Sequence, residues 1–213
     1  MDVRGVVPHP KGMSNATIPQ PTADFQFPVI DPIRDRRSGR AFTQQPVDAQ
    51  TLGSILEAAR WAASSSNEQP WSFIVATKEN PEEFNRLLHC LVEFNQGWAQ
   101  HAPLLMLSVA RMNSSGGKPN RLALHDVGQA AANLAIQATA LGLMVHQMAG
   151  FDVQKAREAF AIPDDHEPVA AIAVGYPGDP ASLPEKLRER EVAPRVRHPQ
   201  KEFVFAGKWG SPK

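Results

Sequence analysis

Leu52, Ile55, Leu56, Ala59 and Ala62 recur at helical spacing behind Asp48, whose carboxylate can accept from the first free N–H groups of a helix. The pattern predicts an amphipathic helix running from Pro46 to a polar stretch, Ser64-Ser-Ser-Asn-Glu-Gln-Pro70. Trp71 to Thr77 (WSFIVAT) then reads as a strand, and Asn80-Pro81 opens a helix with Phe84, Leu87, Leu88, Leu91 and Val92 on one face. Ala102 to Ala110 has the unbroken apolar character of a buried strand. Residues 113–120 (NSSGGKPN) read as a flexible loop. A long helix follows from His125 to Leu141, with Val127, Ala130, Ala131, Leu134, Ala138 and Leu141 on one stripe. Its alanines allow close approach of another helix or of a second subunit. Gly142 ends it, Leu143 to Met148 reads as a strand, Asp152 caps a helix to Phe160, and Val169 to Val174 is a further strand. Helices alternating with strands predict an α/β or α+β fold with helices packed on a central sheet.

The two ends of the chain break this pattern. Residues 1–28 hold Pro8, Pro10, Pro19, Pro21 and Pro28 without a sustained period, and read as a mobile or wrapping tail ahead of one domain spanning 29–213. The C-terminal extension, 177–213, is rich in proline and finishes with a strand-like Glu202-Phe-Val-Phe205. An extension of this length is hard to bury in its own domain, so it is expected to reach a partner subunit; wrapping its own surface is the alternative.

Composition narrows the classes of function. The 213 residues are 42% hydrophobic and 21% charged, with a formal net charge of +0, so no global field favours nucleic acid or an acidic membrane. The lone Cys90 cannot form an internal disulfide, and neither a membrane span nor a signal-peptide pattern is evident. The cytoplasm is the expected location.

Candidate chemistry begins with Arg36-Arg37-Ser38-Gly39-Arg40. Guanidinium forks match phosphate geometry, so the run is either an anion cradle or a solvated basic turn. Arg195 and Arg197 form a second basic cluster, weak by itself. Other sites fail on spacing. A P-loop needs Gly at Met112 and Ser or Thr at Pro119, the serines at 64–66 lack a nucleophile elbow, and no Gly-x-Gly-x-x-Gly follows a strand. His89 and Cys90 are helix neighbours on different faces, which suits no metal. His146, on a predicted strand, reads as an ordinary packed or edge histidine, with approach to a site as the alternative.

Taken in order, several stretches resemble the nitroreductase family of FMN flavoproteins. They are Arg36–Arg40, Ala59-Arg-Trp-Ala-Ala-Ser-Ser-Ser-Asn-Glu-Gln-Pro-Trp71, Ala102-Pro103, Asp126-Val-Gly-Gln-Ala-Ala-Ala-Asn133, Ala140-Leu-Gly142, Gly150-Phe-Asp152 and Val174-Gly-Tyr-Pro177. The likeness runs from about Asp31 to the C-terminus, and Ser-Ser-x-Asn-x-Gln-Pro-Trp is its most specific element.

The resemblance implies an α+β fold of nitroreductase type, an α/β sandwich whose central mixed sheet is flanked by helices. It implies that Arg36, Ser38 and Arg40, with the main chain of Arg37, hold the FMN phosphate and the polar edge of its rings, and that Arg195 and Arg197 close on the same phosphate. Ala63, Ser64, Ser65 and Asn67 would belong to a loop lying against the flavin, in this family commonly from the opposite subunit. Asn95 would contact the pyrimidine side, and the N–H groups of Ala149 and Gly150 would point at flavin N5. Ala63 stands where the family often has Pro, and Ala149 where it often has Glu. No side chain is identified as a catalytic acid or base.

The implied function is a homodimeric NAD(P)H oxidoreductase with FMN at the subunit interface. Hydride passes by ping-pong turnover through N5 to nitroaromatics, quinones or similar electron-poor acceptors. Two alternatives remain open: a specialised member reducing an enone or semialdehyde or acting on flavin itself, and a flavin-binding protein without turnover.

Overall fold

The computed structural model describes residues 25–211. Most of the expected 1–28 tail therefore lies outside the described residues. Four strands, β1 (Trp71–Thr77), β2 (Leu104–Arg111), β3 (Met144–Met148) and β4 (His166–Gly175), form one sheet in the order β1-β2-β4-β3. Around it run α1 (Asp31–Asp35), α2 (Ala49–Arg60), α3 (Pro81–Leu88), α4 (Glu93–Ala99), α5 (Ala123–Ala140), α6 (Val153–Ala159) and α7 (Glu185–Val192).

The sheet separates two apolar cores because β2 alternates buried side chains between its faces. Leu104 and Met106 join Ile55 and Ala59 of α2 and Ala130, Leu134 and Ala138 of α5. Leu105 and Leu107 join Phe84 and Leu87 of α3, Trp98 of α4, Ala156 of α6 and Leu187 of α7. The sandwich is the expected α+β arrangement. Helices α2 and α5 are also tied by Asn133 Nδ2 donating to Ala58 O at 3.2 Å and Gln137 Nε2 to Ser54 Oγ at 3.1 Å. Where the β2–β4 register shifts between Ser108 and Val109, the Ser108 hydroxyl donates to Ala170 O and accepts from Ala170 N. That keeps a buried strand polar group satisfied.

Asp48 and Asp152 cap α2 and α6 through Thr51 N and Lys155 N, as their positions predict. Four features differ from the sequence reading. The expected mixed sheet is antiparallel throughout among the described residues. The helix expected to carry Leu91 and Val92 stops at Leu88: Cys90 N and Leu91 N tighten onto Leu87 O and Leu88 O, and the chain then bonds to a distant segment. Asp152 N donates to Cys90 O at 2.8 Å, Val92 N donates to Gly150 O at 3.1 Å, and a new helix, α4, begins at Glu93. The strand-like Glu202–Phe205 piece forms no strand among the described residues: a 3-10 turn covers Gln200–Glu202, Phe203 stays exposed, and only Phe205 takes a bridge position. Finally, the loop at 113–120 is closed by Ser114 N donating to Lys118 O at 2.7 Å and anchored where Ser115 N and Oγ donate to the Glu68 carboxylate at 2.8 and 2.9 Å.

Candidate functional site

The Arg36–Ala41 segment leaves α1 and lies beside β3. Side chains alternate along a strand, so Met144, His146 and Met148 share a face. On that face His146 meets Gly39, and since a carbonyl only accepts, Nδ1–H donates to Gly39 O at 3.0 Å. A Cβ on Gly39 would run into Met144 Sδ and Glu191 Oε1. Only glycine lets the loop sit this close. Arg195, in the C-terminal extension, donates from Nη1 to Arg36 O at 2.7 Å and from Nη2 to Arg34 O at 2.6 Å. This part of the arm therefore wraps its own chain.

The two basic clusters of the sequence meet here. Burial first, then the charges of Arg197 and Arg195, pushes the Arg36 guanidinium below its ordinary pKa. Arg195 is lowered by burial and then by Arg37 and Arg197, with Asp35 opposing. Among the described residues none of Arg36, Arg40, Arg195 and Arg197 forms an ion pair. The buried Nε atoms of Arg40 and Arg195 have no hydrogen-bond partner. Half-buried Arg36, Arg40 and Arg195, beside exposed Arg197 and with no carboxylate in ion-pair contact among the described residues, are the electrostatic signature of an anion site. Arg36, Arg195 and Arg197 line a cavity of about 1060 Å³ whose apolar wall includes Phe25, Phe27 and Ile33.

Trp98 connects this cradle to the Ala149–Gly150 turn. The Arg40 guanidinium lies 5.7 Å from the centre of its ring, and the His146 ring is 4.7 Å away. Its indole N–H donates to Asn95 Oδ1 at 3.2 Å, and Asn95 Nδ2 donates to Gly150 O at 3.0 Å. Asn95 thus spends both ends of its amide inside the chain, holding the turn. His146 is brought down to about 4, chiefly by burial and then by Arg40, so its imidazole is neutral near pH 7. It is packed, and it packs against the cradle, so the two readings of the sequence meet in one residue.

The Ser64–Asn67 loop lies elsewhere. It leads into β1, one edge of the sheet, whereas the cradle flanks β3, the other edge. Three strand spacings, about 14 Å, separate those edges. Ser66, Asn67 and Gln69 take left-handed φ values of 51°, 57° and 46°. Buried Asp126 of α5 accepts from Ser65 N at 3.0 Å, and Ser64 Oγ accepts from Gln69 N at 3.1 Å. Glu68 accepts from Arg111 Nη2 at 2.9 Å. Ala63, Ser66 and Asn67 are exposed, as is Ala149 at the far end of the cradle. The structure therefore gathers Arg36, Arg37, Ser38, Arg40, Asn95, Ala149, Gly150, Arg195 and Arg197 on one side of the molecule, and leaves Ala63, Ser64, Ser65 and Asn67 apart.

A model of the nitroreductase family matches residues 33–176, well over half of the chain and including cradle, loop and turn. The chain belongs to the nitroreductase family. A crystal structure of an FMN-containing oxidoreductase superposes on this nitroreductase-family chain with a TM-score of 0.85 at 35% identity, covering 93% of this chain and 100% of the other. The FMN reductase [NAD(P)H] of Bacillus subtilis (strain 168) is 26% identical over 183 residues, 77% of this chain and 72% of that protein. A nitrobenzene nitroreductase of Ectopseudomonas oleovorans is 48% identical over 62 residues, 29% of this chain and 26% of its own.

Sequence reasoning missed the residues that hold this nitroreductase site together. Asp126 lay within a quoted motif; an acid on the apolar stripe of α5, one turn before Ala130, was the unread signal, and it is 1% exposed. Trp98 and Glu191 carried none: an isolated Trp and one acid in a charged run acquire meaning only from neighbours distant in sequence.

Proposed function

We propose that this chain is a homodimeric reductase that uses NADH or NADPH, through bound FMN and in a ping-pong cycle, to reduce nitroaromatics, quinones or similar electron-poor acceptors. It is an FMN-dependent NAD(P)H oxidoreductase of nitroreductase type. The observation carrying the reading is the cluster of half-buried Arg36 and Arg195 with exposed Arg197 beside them, none in ion-pair contact among the described residues, lining a cavity that suits a phosphate beside an apolar body. The unpartnered Nε atoms of Arg40 and Arg195 add donors to the same side.

In this reading Arg36, Ser38, Arg195 and Arg197 hold the FMN phosphate, and Arg40, backed by Trp98, meets the polar ring edge. Asn95 orients the Ala149–Gly150 main chain so that its N–H groups are free to serve as donors. A main-chain donor survives the side-chain departure at Ala149. Ser64, Ser65 and Asn67 of a second copy cover the ring; their separation from the cradle within one chain supports the dimer. Bound FMN supplies hydride uptake from NAD(P)H and delivery of electrons to the acceptor. No helix among the described residues is long and apolar enough to cross a membrane. A cytoplasmic location belongs to the same proposal.

The test is the visible spectrum of the purified protein, followed by NADPH and then NADH without oxygen. Flavin bands that bleach with either donor and return on adding a nitroaromatic or quinone support the reading. Bands that never bleach would make this a flavin-binding protein without turnover.

A further inference from the structure

The cradle loop is gripped from its hidden side by a residue with no assigned role. Glu191 of α7 is 3% exposed, and its carboxylate accepts from Arg40 N at 2.9 Å (Oε1) and 3.0 Å (Oε2) and from Ala41 N at 3.3 Å. Beneath it Gly39 leaves no room for a side chain. Arg195, just beyond α7, takes the carbonyls of Arg36 and Arg34. One short stretch of chain thus holds the loop's N–H groups with an anion and its C=O groups with a cation. We propose that Glu191 is a positioning residue for the flavin cradle, fixing the Arg40–Ala41 main chain and tempering the charge that Arg40 presents to the ring edge.

The hydrogen-bond geometry points to this role, and the charge of the carboxylate agrees with it. A buried carboxylate is costly unless its oxygens are satisfied, and here the satisfying groups are main-chain N–H donors of the cradle itself. Glu191 and Arg40 also attract one another, since the carboxylate opposes the fall in the Arg40 pKa that burial causes. A carboxylate serving only as a staple would act on loop order alone. One that also tempers Arg40 acts on the relative affinity for oxidised and reduced flavin, because two-electron reduction adds electron density to the ring system.

The inference rests on the FMN reading, and the test separates the two. Wild type, Glu191→Ala, Glu191→Gln and Arg36→Ala are stripped of FMN, checked for cooperative unfolding, and titrated with FMN by fluorescence. Amide hydrogen exchange at Arg40 and Ala41 is followed in the FMN-free proteins. Glu191→Ala is expected to bind FMN at least about tenfold more weakly and to exchange both amides faster. Glu191→Gln keeps the shape and one acceptor oxygen while losing the charge. It is expected to stay within about threefold of wild-type affinity and to favour reduced over oxidised FMN by about threefold more, which is a midpoint potential raised by about 14 mV.

Glu191→Ala with wild-type FMN affinity and exchange rates overturns the proposal, as does Glu191→Gln with the wild-type potential. If Glu191→Ala fails to fold, the potential of Glu191→Gln decides. Failure of the FMN reading looks different: wild type takes up no FMN, or Arg36→Ala binds as wild type does, and the tempering of a flavin edge falls with it.

Discussion

The Arg36–Ala41 cradle and the Ser64–Gln69 loop both carry polar groups expected at one flavin, yet they are held in opposite ways. The cradle is pinned by long-range partners on every side: His146 on Gly39, Glu191 on Arg40 and Ala41, and Arg195 on Arg34 and Arg36. The loop is bent by three non-glycine residues at positive φ, each costing on the order of 1–3 kcal/mol, and is held to that shape by Asp126 and Glu68. A cradle built this way is preformed by its own chain. The strained loop leaves Ser66 and Asn67 exposed at the other edge of the sheet, which is where the proposed second copy would use them. Spare charge on one side and spare strain on the other are what the proposed two-copy site asks of its two halves.

The largest expected effect breaks the cradle side. Trp98 is 1% exposed and joins Arg40, His146 and Asn95, so Trp98→Ala should cost about 3–5 kcal/mol of stability by urea unfolding. A loss below about 1 kcal/mol would remove Trp98 as the hub. Arg36→Ala should weaken FMN binding by about 2–5 kcal/mol if the charge pair is desolvated. Unchanged flavin content in the purified variant would sink the phosphate assignment.

Acid should loosen the cradle's support through His146. Its folded pKa, about 4, lies below the ordinary 6.5, so the unfolded chain binds the extra proton between those values. The contribution is fully present above pH 6.5 and is lost as pH falls towards 4, by on the order of 3 kcal/mol. His146→Phe should flatten that part of the stability–pH profile, and a profile of unchanged slope would contradict the assignment. On the loop side, Asp126→Ala strands the Ser65 N–H and should cost about 1–3 kcal/mol. The comparison sharpens if amide exchange then quickens at Ser65 but not at Arg40, and it fails if both respond alike.

What the sequence makes legible is what local chemistry decides. Trp71–Thr77 matches its strand residue for residue because a β-branched and aromatic run lies between a proline and a polar turn. Asp48 and Asp152 reveal two helix starts because capping acts over three residues. The break after Leu88 is not legible, since bonds from Gly150 and Asp152 settle it. Helix α7 was hidden for a related reason: Leu187 is its buried apolar residue among charged neighbours, too few for a periodic signal. Phe203 and Phe205 alternate like a strand, but Phe203 stays exposed and the piece reaches no further than a single bridge position at Phe205. The arginines of the site were readable by type and glycine spacing, whereas Glu191, Trp98 and Asp126 depend on tertiary neighbours.

The most direct test of the two-copy site mixes two defects. Arg36→Ala damages the cradle, and Asn67→Trp blocks the exposed loop; each alone should purify without FMN. Unfolded together and refolded at equal concentrations, or co-expressed, they form mixed dimers in which one site inherits both intact halves. The account predicts recovery of about a quarter of the wild-type flavin sites, bleached by NAD(P)H. No recovery, with mixed dimers demonstrated by differently tagged chains, would place cradle and loop of one site in the same chain and contradict it.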